Sequence, residues 1–354
     1  MAHDELAALW RWFVEQEASK YSPLYTAIVE EMAADDEVLG LVASAPPLSH
    51  YPLMVLAAVH DLVLAGVLPA LAAVYREQGP VDAAPPLFRA AVLDHRDHVL
   101  GVLRDRFVQT NECGRASPLA LGLAAVTAAL GPPEALVDAG ASAGLNLLYD
   151  RYRLDVGVHG VWGDPASPIV CSCEVRGTQP PSLRFVDVPV RIGLDRAPVD
   201  LADPNAARWL LACTWPDTGR LERTRAAIDV ALSSPPDVRT GDLVTGIGPL
   251  LDELDGDGPV CVVTSWAFAY LDGGQRKGFV DALIRAGTTR PLAWLSLEAP
   301  GTVQGVVEPA PPVTTFTAGP SVVGLTTFGA DGVGSQRALA YVHPHGSALE
   351  WIPY

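Results

Sequence analysis

The feature that most constrains the fold is a change in the spacing of apolar residues near position 130. Before it they recur every three or four positions, as in Leu6, Leu9, Trp10 and Phe13, and again across residues 51–75, 88–107 and 119–130. That is the period of one helix face. Breaks fall at Pro46-Pro47, Gly79-Pro80, Pro85-Pro86 and Ser117-Pro118, the last placing proline just after an N-cap. From Pro132 onward, short apolar runs at 135–138, 188–195, 238–242, 259–266 and 292–298 alternate with helical stretches at 205–213, 220–232, 250–254 and 279–286. Strands separated by helices imply a parallel sheet covered on both faces, and VCVV (260–263) suits a strand buried on both sides. Runs at 322–328, 338–343 and 349–352 alternate with turns alone, so they read as antiparallel edge strands. The expected class is α/β: an all-helical N-terminal region over 1–130, then a mostly parallel sheet domain over 131–354 with a β-rich insertion at about 151–187.

The chain has 354 residues, 49% hydrophobic and 18% charged, which excludes a disordered class. Its net charge of −17 opposes phosphate backbones and anionic bilayers, so a small-molecule substrate is expected and neither nucleic acid nor membrane. The segment 51–75 is greasy, but His60 and Asp61 in its middle predict a buried helix. Five irregularly spaced cysteines outline neither a disulfide framework nor a metal site, which favours a reduced compartment. Asp4 and Glu5 stand where a signal peptide would be basic, so the expected location is the cytoplasm. Nothing in the sequence fixes an oligomeric state.

The sharpest segment is VDAGASAGLN (137–146): a strand ending in an acid, a turn with glycines at 140 and 144, and an expected helix through Leu145, Leu147 and Leu148. Glycine allows positive φ and close backbone approach there. The segment resembles the first motif of class I S-adenosylmethionine (SAM)-dependent methyltransferases. That resemblance implies a Rossmann-like sheet, with Asp138 on the methionine amino group and Gly140, Ser142, Gly144 and Asn146 against sugar and carboxylate. VRIGLDRAP (190–198) resembles the second-strand motif, which implies Asp195 on the ribose hydroxyls. RTGDLV (239–244) resembles the third, with Asp242 and Leu243 bracketing adenine. CVVTSWAFAY (261–270) stands where the fourth strand and its loop would be, with Ser265 facing the cofactor and Trp266 and Tyr270 as acceptor-pocket walls. Residues 150–189 depart from the pattern, so a second strand at 152–156, with Asp155 as the ribose ligand, is the alternative.

Other readings of the same turn exist. Residues 140–144 match G-x-S-x-G, with Asp272 and His343 following in the order of an α/β-hydrolase triad around Ser142, but the upstream sequence is helical and has no HGGG-like segment. The glycine spacing does not suit G-x-G-x-x-G, and a turn that serves packing alone is the plain alternative.

QTNE (109–112) joins two helices and either caps them or reaches over the glycine turn. In the second case Gln109, Asn111 and Arg115 bind substrate and Glu112 takes part in catalysis. His60 and Tyr270 are further catalytic candidates; His95 and His98 read as a solvated helix face, and His343 and His345 as an edge-strand turn. Taken together, QTNE, Arg115, GASAGLN, RIGLD, Trp209, TWPD (214–217) and HPHG (343–346) resemble an uncharacterised bacterial family, a domain of unknown function, over nearly the whole chain. The expectation is O- or N-methylation of a small molecule. Intramolecular cyclisation of SAM and non-catalytic SAM binding are the alternatives.

Overall fold

A computed structural model describes residues 3–77, 79–177, 185–306 and 319–352. The chain falls into two compact units, Met1–Thr110 with Leu201–Arg225, and Asn111–Asp200 with Ala226–Tyr354.

The first unit is helical. Its helices form where the sequence supplies caps: Ser22 accepts the Tyr25 N–H at the head of Pro23–Met32, and Asp35 caps Asp36–Ala43. Their apolar faces meet in a core containing Trp10, Phe13, Tyr25, Met32 and Phe88. The segment read as one greasy stretch is two helices, Pro52–Leu64 and Pro69–Tyr75, bent by 110°. Among the described residues one straight stretch, Cys113–Leu130, is long and apolar enough to cross a membrane, and 78% of it is buried inside the protein.

The units do not follow the boundary at 130 expected from sequence. Helix Pro204–Ala212 belongs to the first unit because Trp209, Ala212, Cys213 and Trp215 are buried in its core. Trp215 lies 5.3 Å from the Tyr25 ring, and Asp217 accepts hydrogen bonds from the Ser22 hydroxyl (2.7 Å) and the Leu24 N–H (3.0 Å). The TWPD motif therefore locks helices together. Helix Ala116–Leu130 instead belongs to the second unit, where Gly122 leaves room for Leu295.

The second unit contains strands β1 (Ala135–Ala139), β2 (Arg153–Asp155), β3 (Val161–Gly163), β4 (Val170–Ser172), β5 (Glu174–Gly177), β6 (Val190–Asp195), β7 (Asp237–Thr240), β8 (Val260–Ser265), β9 (Leu292–Glu298), β10 (Ser321–Gly329), β11 (Gly332–Val342) and β12 (Ala348–Trp351). Nine of them form one sheet in the order β5-β12-β11-β10-β9-β8-β1-β6-β7. The five from β7 to β9 are parallel; β10, β11 and β12 continue antiparallel, and β5 adds parallel to β12. This is a mixed α/β architecture with a large, mostly parallel sheet and a helical N-terminal region. Strand β6 pairs with β1 (Val137 opposite Ile192), whereas β2 lies in a separate three-stranded sheet, β3-β2-β4. The second strand of the main sheet thus ends at Asp195, and Asp155 only holds its own turn through the Gly157 N–H.

The helix expected after Gly144 is replaced by a 3-10 segment, Leu145–Arg151. Tertiary ties account for it: the Tyr152 hydroxyl donates back to the Leu145 carbonyl (2.6 Å), Tyr149 donates to Val186 O (2.6 Å), and Asp150 pairs with Arg191. Residues 178–184 of the insertion lie outside the described residues.

Candidate functional site

In chain order the five parallel strands run third, second, first, fourth, fifth, so connections leave β1 and β8 in opposite directions. A crevice at the carboxyl ends of strands forms at such a switch point. Three acids stand at those ends: Asp138 on β1, Asp195 on β6 and Glu298 on β9.

Two of them are engaged with backbone. Asp195 accepts the Ser142 N–H at 2.8 Å on one oxygen and the Ala197 N–H at 2.9 Å on the other, fastening the glycine turn to the second strand. Glu298, 1% exposed, accepts the N–H groups of Ala267 (3.2 Å), Phe268 (3.1 Å) and Ala269 (3.2 Å), and so fixes the loop after β8. Burial pushes its pKa up, with those donors opposing the rise. Asp138 differs. It is 4% exposed, makes no hydrogen bond to a described residue, and its pKa is raised to about 7, by burial first and the Asp195 charge second, with Arg115 opposing.

In the segment that follows Asp138, two buried polar atoms lack partners. Ser142 Oγ and Asn146 Oδ1 are buried without a hydrogen-bond partner, a state native proteins rarely keep without a ligand, water or functional reason. Asp138 and Asn146 share a cavity scarcely larger than a water molecule, walled by Leu119, Leu123, Tyr149 and Val263. Ser142 takes φ +54° and Trp266 φ +55°, a left-handed conformation uncommon outside glycine. The Trp266 ring is anchored by its indole N–H to Ser321 Oγ at 2.9 Å.

The glycines of the turn serve the protein's own packing. Gly140 has φ +94° and a Cβ there would overlap the Ala267 methyl; at Gly144, φ +72°, it would press on Val238 and Pro236. Gly140→Ala should therefore destabilise the protein by about 2–4 kcal/mol in urea unfolding, from strain plus overlap. A loss below about 1 kcal/mol would show that the loop after β8 yields easily.

The QTNE junction does reach the turn through one residue: Asn111 Oδ1 accepts the Leu145 N–H at 2.8 Å. Glu112 is buried and accepts the Gly114 N–H at 2.9 Å. Arg115 donates to the Pro344 carbonyl (2.8 Å) and to Ser265 O and Oγ (both 3.2 Å), tying the β8 end to the HPHG turn. Gln109 belongs to the other unit, where its backbone meets the Cys213 thiol.

The remaining candidates are dispersed. His60 is 1% exposed in the helical unit's core, bonded to Ala212 O (3.1 Å) and packed on Tyr75, with its pKa pushed down to about 4 by burial. Tyr270 is 81% exposed. Asp242 caps Leu243–Asp252 through the Val244 and Thr245 N–H groups, and Leu243 packs beside the sheet core. His98 approaches buried Asp61 at 3.6 Å, so that face is not wholly solvated, and no metal-holding cluster occurs among the described residues. The hydrolase triad is not assembled: the Ser142 hydroxyl has no partner, and Asp272 forms a capping box with Gln275. Sequence reasoning missed Glu298, whose only signal is an acid closing the apolar run LAWLSLE, and the approach of the HPHG turn to Arg115.

Over residues 7–351 the chain matches the model of a family described as "Uncharacterized protein conserved in bacteria (DUF2332)". No curated protein matches it. Among solved structures it is similar to the sugar N-methyltransferase KedS8 from a Streptoalloteichus species, at 15% identity and a TM-score of 0.25, over 64% of this chain and 71% of that one. That likeness is too slight to carry an argument.

Proposed function

The chain belongs to the bacterial family DUF2332, and within it we propose a cytoplasmic enzyme that binds SAM at the carboxyl ends of β1, β6 and β8 and methylates an oxygen or nitrogen of a small molecule. The observation that carries this reading is Asp138: the one strand-end acid of the three with no backbone donor, buried within the field of Arg115 and sharing a cavity with Asn146, whose Oδ1 has no partner.

A buried carboxylate without donors is costly unless a ligand brings them. The residues present fit SAM in that respect. Asp138 would hold the amino group, and the Ser142 hydroxyl and Asn146 amide the rest of the amino-acid end. Asp195 keeps lone pairs for ribose hydroxyls after taking one N–H on each oxygen, and Asp242 and Leu243 would flank the adenine. Trp266 and Arg115 would border the acceptor.

When bound, SAM supplies a methyl group already activated on a sulfonium. The chain's own contribution is therefore orientation, since alignment of two reactants is worth several kcal/mol. Asp195 and Asn111 hold the turn rigid, and Glu298 holds the facing loop.

Isothermal titration of the full chain with SAM and S-adenosylhomocysteine tests this. Binding at micromolar concentration is expected, and no binding below about 1 mM, some 4 kcal/mol, would overturn it. Consumption of SAM without an acceptor would instead indicate intramolecular displacement.

A further inference from the structure

Strand β9 is antiparallel to β10 and β10 to β11, so β11 runs in the same direction as β9. The turn after Val342 therefore opens on the same edge of the sheet as Asp138 and Ser265. It is pinned there. Arg115 Nε donates to the Pro344 carbonyl, and Gly346 presses so closely on Gly114 that a Cβ would overlap the Gly114 carbonyl. Within this joint His345 Nδ1 lies 3.9 Å from Glu112 Oε2. The Glu112 side chain is 4% exposed and that of His345 24%, so the carboxylate is covered while the imidazole still reaches solvent.

We propose that His345 is the proton acceptor of the reaction and Glu112 its positioning carboxylate, and that the acceptor substrate is an amine that carries a proton at neutral pH. The proposal rests on the SAM reading above. Among the described residues, groups near the imidazole are Glu112, His343, whose Nδ1 accepts the His345 backbone N–H at 3.2 Å, and Arg115, whose guanidinium bonds the carbonyls of Pro344 and Ser265. The Glu112 carboxylate directly beside the imidazole favours a cationic substrate over an anionic one.

At 3.9 Å the Glu112 carboxylate stands within ion-pair range of Nδ1, and a carboxylate on Nδ1–H fixes the tautomer that leaves Nε2 as the base. The ammonium loses a proton to Nε2. Its freed lone pair then forms the bond to the methyl carbon as the carbon–sulfur bond breaks and that electron pair stays on sulfur. The products are the methylated amine, formed as its ammonium ion, and S-adenosylhomocysteine, and the imidazolium returns its proton to water.

Two measurements test the pair. Carbethoxylation of His345 by diethyl pyrocarbonate, mapped by peptide mass spectrometry across the histidine range, should show a pH–rate profile that moves down by about one unit in Glu112→Gln and partly back in Glu112→Asp. An unmoved profile overturns the pairing. Transfer from methyl-tritiated SAM to the deproteinised small-molecule extract of bacterial cells should fall about 100-fold or more in His345→Asn, with S-adenosylhomocysteine affinity within about twofold of wild type. Equal transfer by the variant, or label on oxygen, overturns the proposal. If wild type binds neither SAM nor S-adenosylhomocysteine, the SAM reading fails, while carbethoxylation still decides whether Glu112 and His345 act together.

Discussion

Asp138→Asn should weaken SAM binding by about 100-fold and, without ligand, make the protein more stable at pH 8. Both effects come from one carboxylate. Its pKa is raised from 3.8 to about 7, so the fold prefers the neutral acid. A group raised in this way contributes stability that is complete below about pH 4 and is lost as pH climbs towards 7. Above that the folded protein carries a buried charge it disfavours by about 4 kcal/mol relative to the unfolded chain. Asparagine keeps the shape of the neutral acid and carries no charge. The melting-temperature gap between variant and wild type should therefore be small near pH 4 and widen to roughly 5 °C or more by pH 8. A gap independent of pH would mean that Asp138 is not the group responsible. Binding of an ammonium runs the other way: it needs the charged form, so wild-type affinity for SAM should rise with pH up to about 7 and protons should be released to buffer. The variant should show neither, because a buried charge pair that loses one partner costs several kcal/mol.

Glu298→Ala should cost about 3–5 kcal/mol in urea unfolding, the largest effect expected from a single side chain at this edge of the sheet. Three N–H groups, at Ala267, Phe268 and Ala269, would lose their acceptor inside the protein. Trp266, at φ +55°, depends on that loop being over-determined, and its indole would no longer be held firmly against Ser321. Glu298→Gln keeps one oxygen and should lose about half as much. A loss under about 1 kcal/mol for the alanine variant would show that the loop finds other acceptors or water.

The parallel strands were readable because burial on both faces leaves uninterrupted apolar runs, as in Val260–Ser265 and Leu292–Glu298. Asp138 was readable for a related reason: an acid directly after such a run has few places to go except the strand end. What the sequence hid were tertiary choices. Leu145, Leu147 and Leu148 have helical spacing, but the ties of Tyr149, Asp150 and Tyr152 shorten the helix to a 3-10 segment. Trp209 and Trp215 read as helix and loop without revealing which core would bury them. His60 and Tyr270 were candidates by residue type alone, and one is sealed in the helical core while the other is largely exposed. Spacing along the chain also cannot show that Glu298 turns back to three backbone donors, or that β11 delivers His345 to Glu112.

Strand β5 pairs with β12, Glu174 opposite Ala348, and helix Pro204–Ala212 completes a unit begun at the N-terminus. During synthesis, then, the helical unit cannot close its core until residue 225 or so has left the ribosome. The sheet keeps an open edge for longer still, until the last strand emerges. Such long waits expose apolar surface and unpaired strands to aggregation. A message truncated just before Ala348 would yield a polypeptide in which β5 and the outer side of β11 have lost their partner strand.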